Sequence, residues 1–336
     1  MERRLSPIHV GQRWEQDPTE LLIRSFSQPE ADLAALARVR NETLRALEKP
    51  EEFEEVDALS LDRFYNRPGF NLEGNSWLVF LRDEPVAAAV IYPRAFFNER
   101  PPGNFDLYVA PSVARHGLGS RLLAHVEQAA WERGHRTLET TIASEDSAST
   151  AFLSGRGFNI VAKSAHMAFD GPLQAPEVPT LPPGFEIKSL EDLQEPPELY
   201  VETTNRLAAY DLNYSLVTPE QVDYLVTAGT WEPEGVLFLM APHERIAGII
   251  RASGAHTRQG SLHEIRLEPA LRGSGLGAAL LASALRYLAV AGVTRIELDT
   301  NGENTAAHNL ALKAGFRVTR HWLHFLKPLT RPEKST

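Results

Sequence analysis

The sequence of 336 residues contains no cysteine, which excludes disulfides, thiolate metal sites and cysteine nucleophiles. It has no run of about 18–20 apolar residues, the length that a membrane-spanning helix needs, so no membrane partner is expected. Basic residues are the minority, 34 against 44, and the net charge of −10 argues against nucleic acid as a partner. Because no apolar segment follows the basic start at Met1 to Pro7, we expect no signal peptide and a cytoplasmic protein.

The sequence does contain an internal repeat. Residues 111–123 (PSVARHGLGSRLL) resemble residues 269–281 (PALRGSGLGAALL) at an offset of 158 positions. The same offset relates Gly157-Phe158 to Gly315-Phe316. A spacing that holds over almost fifty residues without a gap indicates a duplicated unit rather than a short motif found twice.

The proline-rich segment 171–184 lies between the two copies and is typical of a linker. We therefore predict an N-terminal extension at 1–18, a domain at 19–172, a linker at 173–182, a second domain at 183–328 and a tail at 329–336. Apolar periodicity predicts strands at 21–25, 77–80, 86–91, 105–109, 137–142, 158–167, 185–188, 236–240, 246–252, 262–267, 295–298 and 316–326, and helices at 30–47, 118–133, 147–155, 198–210, 219–227, 277–291 and 305–314.

The strongest chemical signal is the segment Arg272-Gly-Ser-Gly-Leu-Gly277, between a predicted strand and a predicted helix. Unpaired N–H groups and the helix dipole favour a diphosphate at such a junction. Glycine permits close approach and a positive φ, and Arg272 can add a charged hydrogen bond. A tight turn without a ligand is the alternative.

Gly273 to Ala278 also satisfies the dinucleotide motif G-x-G-x-x-A, with Glu297 and Asp299 following as candidate ribose ligands. Against this, four residues separate the loop from its strand, and Arg115 replaces the first glycine in the other copy. Only about sixty residues follow the loop, too few for a doubly wound sheet. We therefore reject a nicotinamide-dependent oxidoreductase.

The motifs resemble those of the GNAT acetyltransferase superfamily, in which R/Q-x-x-G-x-G/A follows a strand ending in V-x-P. Leu267-Glu-Pro269 precedes the glycine loop, and Asn304-Thr-Ala-Ala307 with Gly315-Phe316 matches the next block of the family. The resemblance covers both copies. It implies a tandem α/β (α+β) protein of two GNAT-like domains, each with a mixed, mostly antiparallel sheet and helices on both faces.

The resemblance implies acetyl-CoA, or another acyl-CoA, as co-substrate and a primary amine of a small molecule or peptide as acceptor. The pantetheine arm would lie between strands 262–267 and 295–298, and main-chain groups would polarise the thioester carbonyl. We expect no metal, and a monomer or homodimer. The implied cofactor-binding residues are Ile265, Arg266, Leu267, Arg272, Gly273, Ser274, Gly275, Leu276, Gly277, Ala278 and Asn304 in the second copy, and Val109, Arg115, His116, Gly117, Leu118, Gly119 and Ser120 in the first.

An attacking amine must lose a proton, so a base is expected near the end of strand 262–267. Glu264 is the first candidate, and His263 and Asp299 are the alternatives. Strand alternation places His263 and Glu264 on opposite faces unless a bulge intervenes. The tyrosine that many family members use to protonate the leaving thiolate is replaced by Ala311 and, in the first copy, by Leu153; His308 is a substitute candidate.

The first copy departs further from the pattern. Ala114 stands where the second copy has Arg272, and Asp146, unfavourable near an anionic cofactor, stands where it has Asn304. We therefore expect catalysis in the second copy, with a non-catalytic CoA-binding or sensing protein as the alternative. Four aromatic residues are expected either to wall an acceptor pocket or to pack in the core: Tyr200, Tyr210, Tyr214 and Trp231.

Overall fold

The computed structural model describes residues 3–4, 21–47, 53, 55–65, 72–93, 103–170, 174–210, 216–301 and 305–330. The strands of the first half are β1 (Arg3–Arg4), β2 (Leu21–Ser25), β3 (Ser76–Leu81), β4 (Glu84–Pro93), β5 (Gly103–Val109), β6 (Thr137–Ala143) and β7 (Asn159–Asp170). Its helices are α1 (Pro29–Leu47), α2 (Ala58–Tyr65), α3 (Leu118–Glu132) and α4 (Ser147–Ser154).

The second half repeats this order. Its strands are β8 (Glu186–Ser189), β9 (Val236–Ala241), β10 (Arg245–Ser253), β11 (Gln259–Leu267), β12 (Arg295–Asn301) and β13 (Arg317–Pro328). Its helices are α5 (Leu190–Leu193), α6 (Glu198–Ala208), α7 (Pro219–Thr227), α8 (Leu276–Val290) and α9 (Thr305–Lys313).

The described strands form one mixed sheet in the order β1-β2-β3-β4-β5-β6-β13-β7-β12-β11-β10-β9-β8. Neighbouring strands are antiparallel except for two parallel pairs, β5 with β6 and β11 with β12. Helices cover both faces of the sheet, so alternate residues along a strand enter different cores. Leu237 and Leu239 pack with α8, for example, whereas Phe238 and Met240 pack with α6. The predicted fold class is confirmed.

The two halves exchange their last strands. β13, from the second half, pairs with β6 of the first half, and β7, from the first half, pairs with β12 of the second. Phe325 of β13 is therefore fully buried in the core formed with α3, whereas Met167 of β7 is fully buried in the core formed with α8. Each core depends on a side chain from the other half of the chain.

The apolar patterns predicted most elements within a few residues, but not β1, α2 or α5. In α2 only Leu61 and Tyr65 are buried, which leaves little helical periodicity to detect. α5 has a detectable signal, since Ser189 and Asp192 form a capping box. Residues 174–185 contain no helix or strand, and the domain boundaries drawn around the linker stay a prediction.

The N-terminal segment adds a short strand to the sheet. Arg3 and Arg4, from the segment predicted as an N-terminal extension, pair with Ile23 and Leu22 of β2. Among the described residues, none of the helices combines the length and the apolar character that crossing a membrane would require.

The strand exchange predicts reciprocal effects of two core substitutions. Phe325→Ala should cost about 3–5 kcal/mol of unfolding free energy and lower the hydrogen-exchange protection of α3, because it opens a cavity in the first half. Met167→Ala should instead lower the protection of α8. Val290→Ala, at a side chain that is 79% exposed, is the control. Protection lost only in the half that carries the substitution would contradict the exchange.

Candidate functional site

A cleft opens where two parallel strands part. β11 and β12 pair from Gln259↔Arg295 to Leu262↔Leu298 and no further, although both strands continue. The gap beyond the last pair is a cavity of about 160 Å³. Its walls come from both faces of the sheet, with Leu281 and Ala311 on the side of α8 and α9 and with Glu264 and Asp299 on the opposite side. A ligand in this gap would be accessible from two directions.

A β-bulge in β11 sets the directions of the candidate catalytic side chains. Between the pairs Ile250↔Ile265 and Ala252↔Leu262, β11 has one residue more than β10. His263 and Glu264 therefore both lie opposite Arg251, on the same face of the sheet. His263 Nε2 lies 2.8 Å from Ser253 Oγ, and Glu264 Oε1 lies 3.6 Å from Arg251 Nε. The bulge is present, so the stated exception to strand alternation applies and the two side chains share a face.

Glu264 lies in a polar cluster under α6. Its side chain is 14% exposed and accepts a hydrogen bond from the hydroxyl of Tyr200, which in turn accepts one from Arg251 at 3.2 Å. Tyr200 is only 2% exposed and packs edge-on against Trp231. Of the predicted aromatic residues, these two thus build the support of Glu264, Tyr210 is exposed, and Tyr214 lies outside the described residues.

The electrostatics of this cluster keep Glu264 ionised. Burial acts to raise the pKa of Glu264, but the charge of Arg251 and the hydrogen bond from Tyr200 outweigh it, so the pKa lies below its ordinary value. Burial and the nearby Glu264 raise the pKa of Tyr200, which therefore stays protonated as a donor. Partial desolvation and the charge of Arg251 lower the pKa of His263 to about 4, so its imidazole is neutral at pH 7.

Asp299 lies on β12 immediately beyond the last residue that pairs with β11. Its side chain is 68% exposed, and its Oδ1 lies 3.0 Å from Nδ1 of His166 on β7. His166 was not among the predicted site residues, because nothing in the local sequence shows that a strand of the first copy lies beside β12. Arg251 and Tyr200 were missed as partners of Glu264 for a similar reason, since these contacts span 13 and 64 positions.

The glycine loop of the second half has the geometry of an open helix entrance. After a 3-10 turn at Pro269–Leu271, Gly273 and Gly275 adopt φ values of +79° and +87°, and Gly275 caps α8 without any side-chain hydrogen bond. A Cβ at either glycine would meet nothing within 4 Å. Positive φ, rather than a clash within the protein, therefore favours glycine here. The N–H groups at the start of α8 are left for a ligand or solvent.

The remaining predicted contacts of the second half lie around this entrance. Ile265 and Arg266 line the cavity, whereas Leu267 packs beside Gly277. Arg272, Gly273, Ser274 and Gly275 are exposed, Leu276 is buried, and Ala278 lies in the first turn of α8. Asn304 lies outside the described residues. His308 does not border the cavity, and its Nδ1 lies 3.2 Å from Thr300 Oγ1.

The first half keeps the shape of the loop. Gly117 caps α3 at φ +85°, and Arg115 adopts φ +68° where the second half has Gly273. Arg115 thus breaks the sequence pattern but not the backbone conformation. His116 is exposed beside it, Leu118 is buried, and Ser120 accepts a hydrogen bond from Arg156. Asp146, the residue at the Asn304 position, caps α4 through Ser149 N at 2.9 Å.

The space beside the loop of the first half is occupied by bulkier side chains. Phe152, at the Leu310 position, lies against Val109 and Gly119, and the guanidinium of Arg156 stacks 3.8 Å from the Phe152 ring centre. Leu153, at the Ala311 position, is buried in the core. β5 and β6 nevertheless pair only at Gly103↔Leu138 and Asn104↔Glu139 before they part.

At the offset of 158, Asp106 occupies the position of Glu264. Asp106 was not among the predicted site residues. It accepts hydrogen bonds from Tyr65 at 3.0 Å and Tyr92 at 3.3 Å. β5 has no bulge, and burial raises the pKa of Asp106. The two halves therefore place a carboxylate at the same position in opposite electrostatic settings.

Comparison with known proteins identifies the class to which this site belongs. The model of the acetyltransferase (GNAT) family matches residues 37–158 and 203–316. The chain therefore belongs to the GNAT acetyltransferase family, which confirms the resemblance and the class of enzyme that the duplicated motif predicts.

The tandem arrangement of this chain is similar to that of mycothiol synthase, and its relatives in sequence include mycothiol acetyltransferases. The mycothiol acetyltransferase of Cellulomonas flavigena is 27% identical over 225 residues, which are 64% of this chain and 64% of the relative, so the match spans less than two thirds of that protein. The enzyme of the same name from Rhodococcus erythropolis is 22% identical over 65% of this chain and 74% of its own.

Solved structures show the same fold. A GCN5-related N-acetyltransferase from Sphaerobacter thermophilus superposes with a TM-score of 0.74 at 22% identity, covering 94% of this chain and 98% of the other. A tandem GNAT protein from the clavulanic acid biosynthesis pathway gives a TM-score of 0.65 at 19% identity, with coverage of 94% and 100%.

The open helix entrance predicts a site-specific effect of one added methyl group. Gly275→Ala should weaken coenzyme A binding by about tenfold or more, because a Cβ enters the space in front of the α8 N–H groups and strains a positive φ. Isothermal titration calorimetry measures the affinity. Gly292→Ala is the matched control, because Gly292 lies beyond the other end of α8 with a φ of +81° and equally open space around it. Equal losses in both variants would contradict a ligand site at Gly275.

Proposed function

We propose that the chain is an acyl-CoA-dependent N-acyltransferase whose chemistry takes place in the second half, with acetyl-CoA as donor and a primary amine of a small molecule or peptide as acceptor. The observation that carries this proposal is the parting of β11 and β12 beside the open start of α8. We propose the sequence boundaries 19–172 and 183–328 for the two domains.

The residues present fit an acyl-CoA. The N–H groups from Gly273 to Gly277, together with Arg272, would hold its diphosphate, whereas the N–H of Ala278 donates to Gly275 O at 3.0 Å. The strand edge at Ile265 to Leu267, which β12 leaves unpaired, would hold its amide groups and polarise the acyl carbonyl. The bound donor supplies an activated thioester, so no covalent enzyme intermediate is needed.

Glu264 is the residue that we assign to the proton of the amine. As a carboxylate whose pKa lies below its ordinary value, it attracts an ammonium group but is a weak base. It therefore acts best through a hydrogen-bonded water that passes the proton on to solvent. Tyr200 and Arg251 hold its orientation, and the neutral His263 on the same face is the second candidate to accept the proton.

The first half is proposed as a structural partner or a weak CoA-binding site. Its loop conformation is preserved, but Phe152 and Leu153 occupy the place of smaller residues, and Asp106 is engaged by two tyrosine hydroxyls. No side chain at Ala311 can protonate the leaving thiolate. With an ordinary thiol pKa of about 8.5, the thiolate can leave with solvent as the proton donor.

Glu264→Gln should lower kcat/KM by about 10²- to 10⁴-fold, because the amide lacks the negative charge that attracts the ammonium group and assists transfer of its proton through water. The remaining activity should keep the pH dependence of the wild type between about pH 6 and about pH 9. In that range Glu264 is already ionised, so the rise of the rate with pH reports deprotonation of the amine. Release of free CoA thiol from acetyl-CoA with a panel of amines measures both effects.

Asp106→Asn, at the equivalent position of the first half, is the matched control and should retain turnover. Thermal unfolding of both variants verifies that they are folded. Loss of turnover in Asp106→Asn alone would move the chemistry to the first half. Coenzyme A binding without thiol release for any amine would favour the non-catalytic sensing protein.

A further inference from the structure

The strand exchange brings a histidine of the first half to the edge of the cleft in the second half. β7 pairs with β12 over seven residue pairs, and in this register His166 lies directly opposite Asp299. Directly paired residues share a face of the sheet, here the face of Glu264 and Arg251. The contact of 3.0 Å between His166 Nδ1 and Asp299 Oδ1 therefore links the two halves at a residue that lines the cavity.

The same geometry occurs in the first half, with a threonine at the position of the aspartate. His324 and Thr141 are the equivalents of His166 and Asp299 at the offset of 158, and His324 Nδ1 lies 3.1 Å from Thr141 Oγ1. The exchanged histidine is thus common to both halves. In the half to which we assign the chemistry, the residue directly paired with this histidine is acidic.

Exposure and charge distinguish Asp299 from Glu264. Asp299 is 68% exposed at the cleft, whereas Glu264 is 14% exposed and its charge is met by Arg251. His166 is 28% exposed, and it balances the charge of Asp299 only while its imidazole is protonated. The cleft therefore carries two carboxylates, one inside it and one where it opens.

The charged groups that face His166 favour its protonated form. The hydrogen bond to Asp299 raises the pKa of His166, and the charges of Asp299 and Glu297 add to this effect, against burial and Arg295. Glu297 lies 3.9 Å from Nε2 and itself accepts a hydrogen bond from Arg295 at 2.7 Å. On β13, Arg320 lies opposite His166 in the register, and on β11, His263 is influenced by the same Asp299.

We propose that Asp299, positioned by His166 of the first half, binds a second ammonium group of the acceptor while Glu264 faces the reacting amine. The acceptors are then diamines, and their affinity depends on the protonation of His166. This rests on the proposed function, because it uses the same cleft. His166 is a positioning residue. When its imidazole loses the proton, the pair changes from neutral to a net charge of −1 and attracts a cation more strongly.

The proposal is tested with 1,3-diaminopropane and propylamine, titrated by calorimetry into the CoA-saturated full-length protein at about pH 6 and about pH 8. The diamine should bind more tightly than the monoamine, and its affinity should increase with pH. By linkage, the increase is about tenfold for each unit by which the bound diamine lowers the pKa of His166. Nuclear magnetic resonance titration of the imidazole measures that shift.

His166→Gln should remove the pH dependence of diamine affinity, and Asp299→Asn should remove the preference for the diamine. His324→Gln, the equivalent change in the first half, should alter neither. A wild-type protein without preference for the diamine, or a pH dependence that persists in His166→Gln, would overturn the proposal. Failure of CoA itself to bind would instead overturn the proposed function, so the two failures are distinguishable.

Discussion

The site depends on one interruption of backbone pairing. Parallel strands normally satisfy each other's N–H and C=O groups along their length, but β11 and β12 stop doing so after Leu262 and Leu298. The gap leaves a strand edge that can be satisfied by an extended ligand, and it opens both faces of the sheet to the same point. The bulge in β11 then places His263 and Glu264 together beside that gap, which a regular strand could not do.

The exchange of β7 and β13 makes the two halves interdependent. Each core contains buried side chains from the other half, Phe325 in one and Met167 in the other. β12, which forms one wall of the cleft, pairs along its other edge with β7, so the site of the second half depends on a strand of the first. This gives the duplicated domain a role that does not require chemistry of its own.

The sequence predicted the fold well because its main signals are local and occur twice. The glycine loop, the Gly-Phe pairs and the offset of 158 identify the family, and apolar periodicity places most strands and helices. The strand exchange was not predictable, since β7 and β13 have the same pattern whichever neighbour they pair with. The bulge depends on register, and the contacts of Glu264 with Tyr200 and of Asp299 with His166 span 64 and 133 positions. Asp106 is the exception, because the offset alone identifies it.

The central claim is that the parted strands and the start of α8 form the donor site. A crystal structure of the full-length chain with coenzyme A tests this most directly. We expect the diphosphate at the N–H groups from Gly273 to Gly277 and the pantetheine arm along Ile265 to Leu267, with Glu264 on the face of the sheet opposite α8. Coenzyme A bound only at the loop from Arg115 to Ser120, or a gap between β11 and β12 that closes by pairing of the two strands, would contradict it.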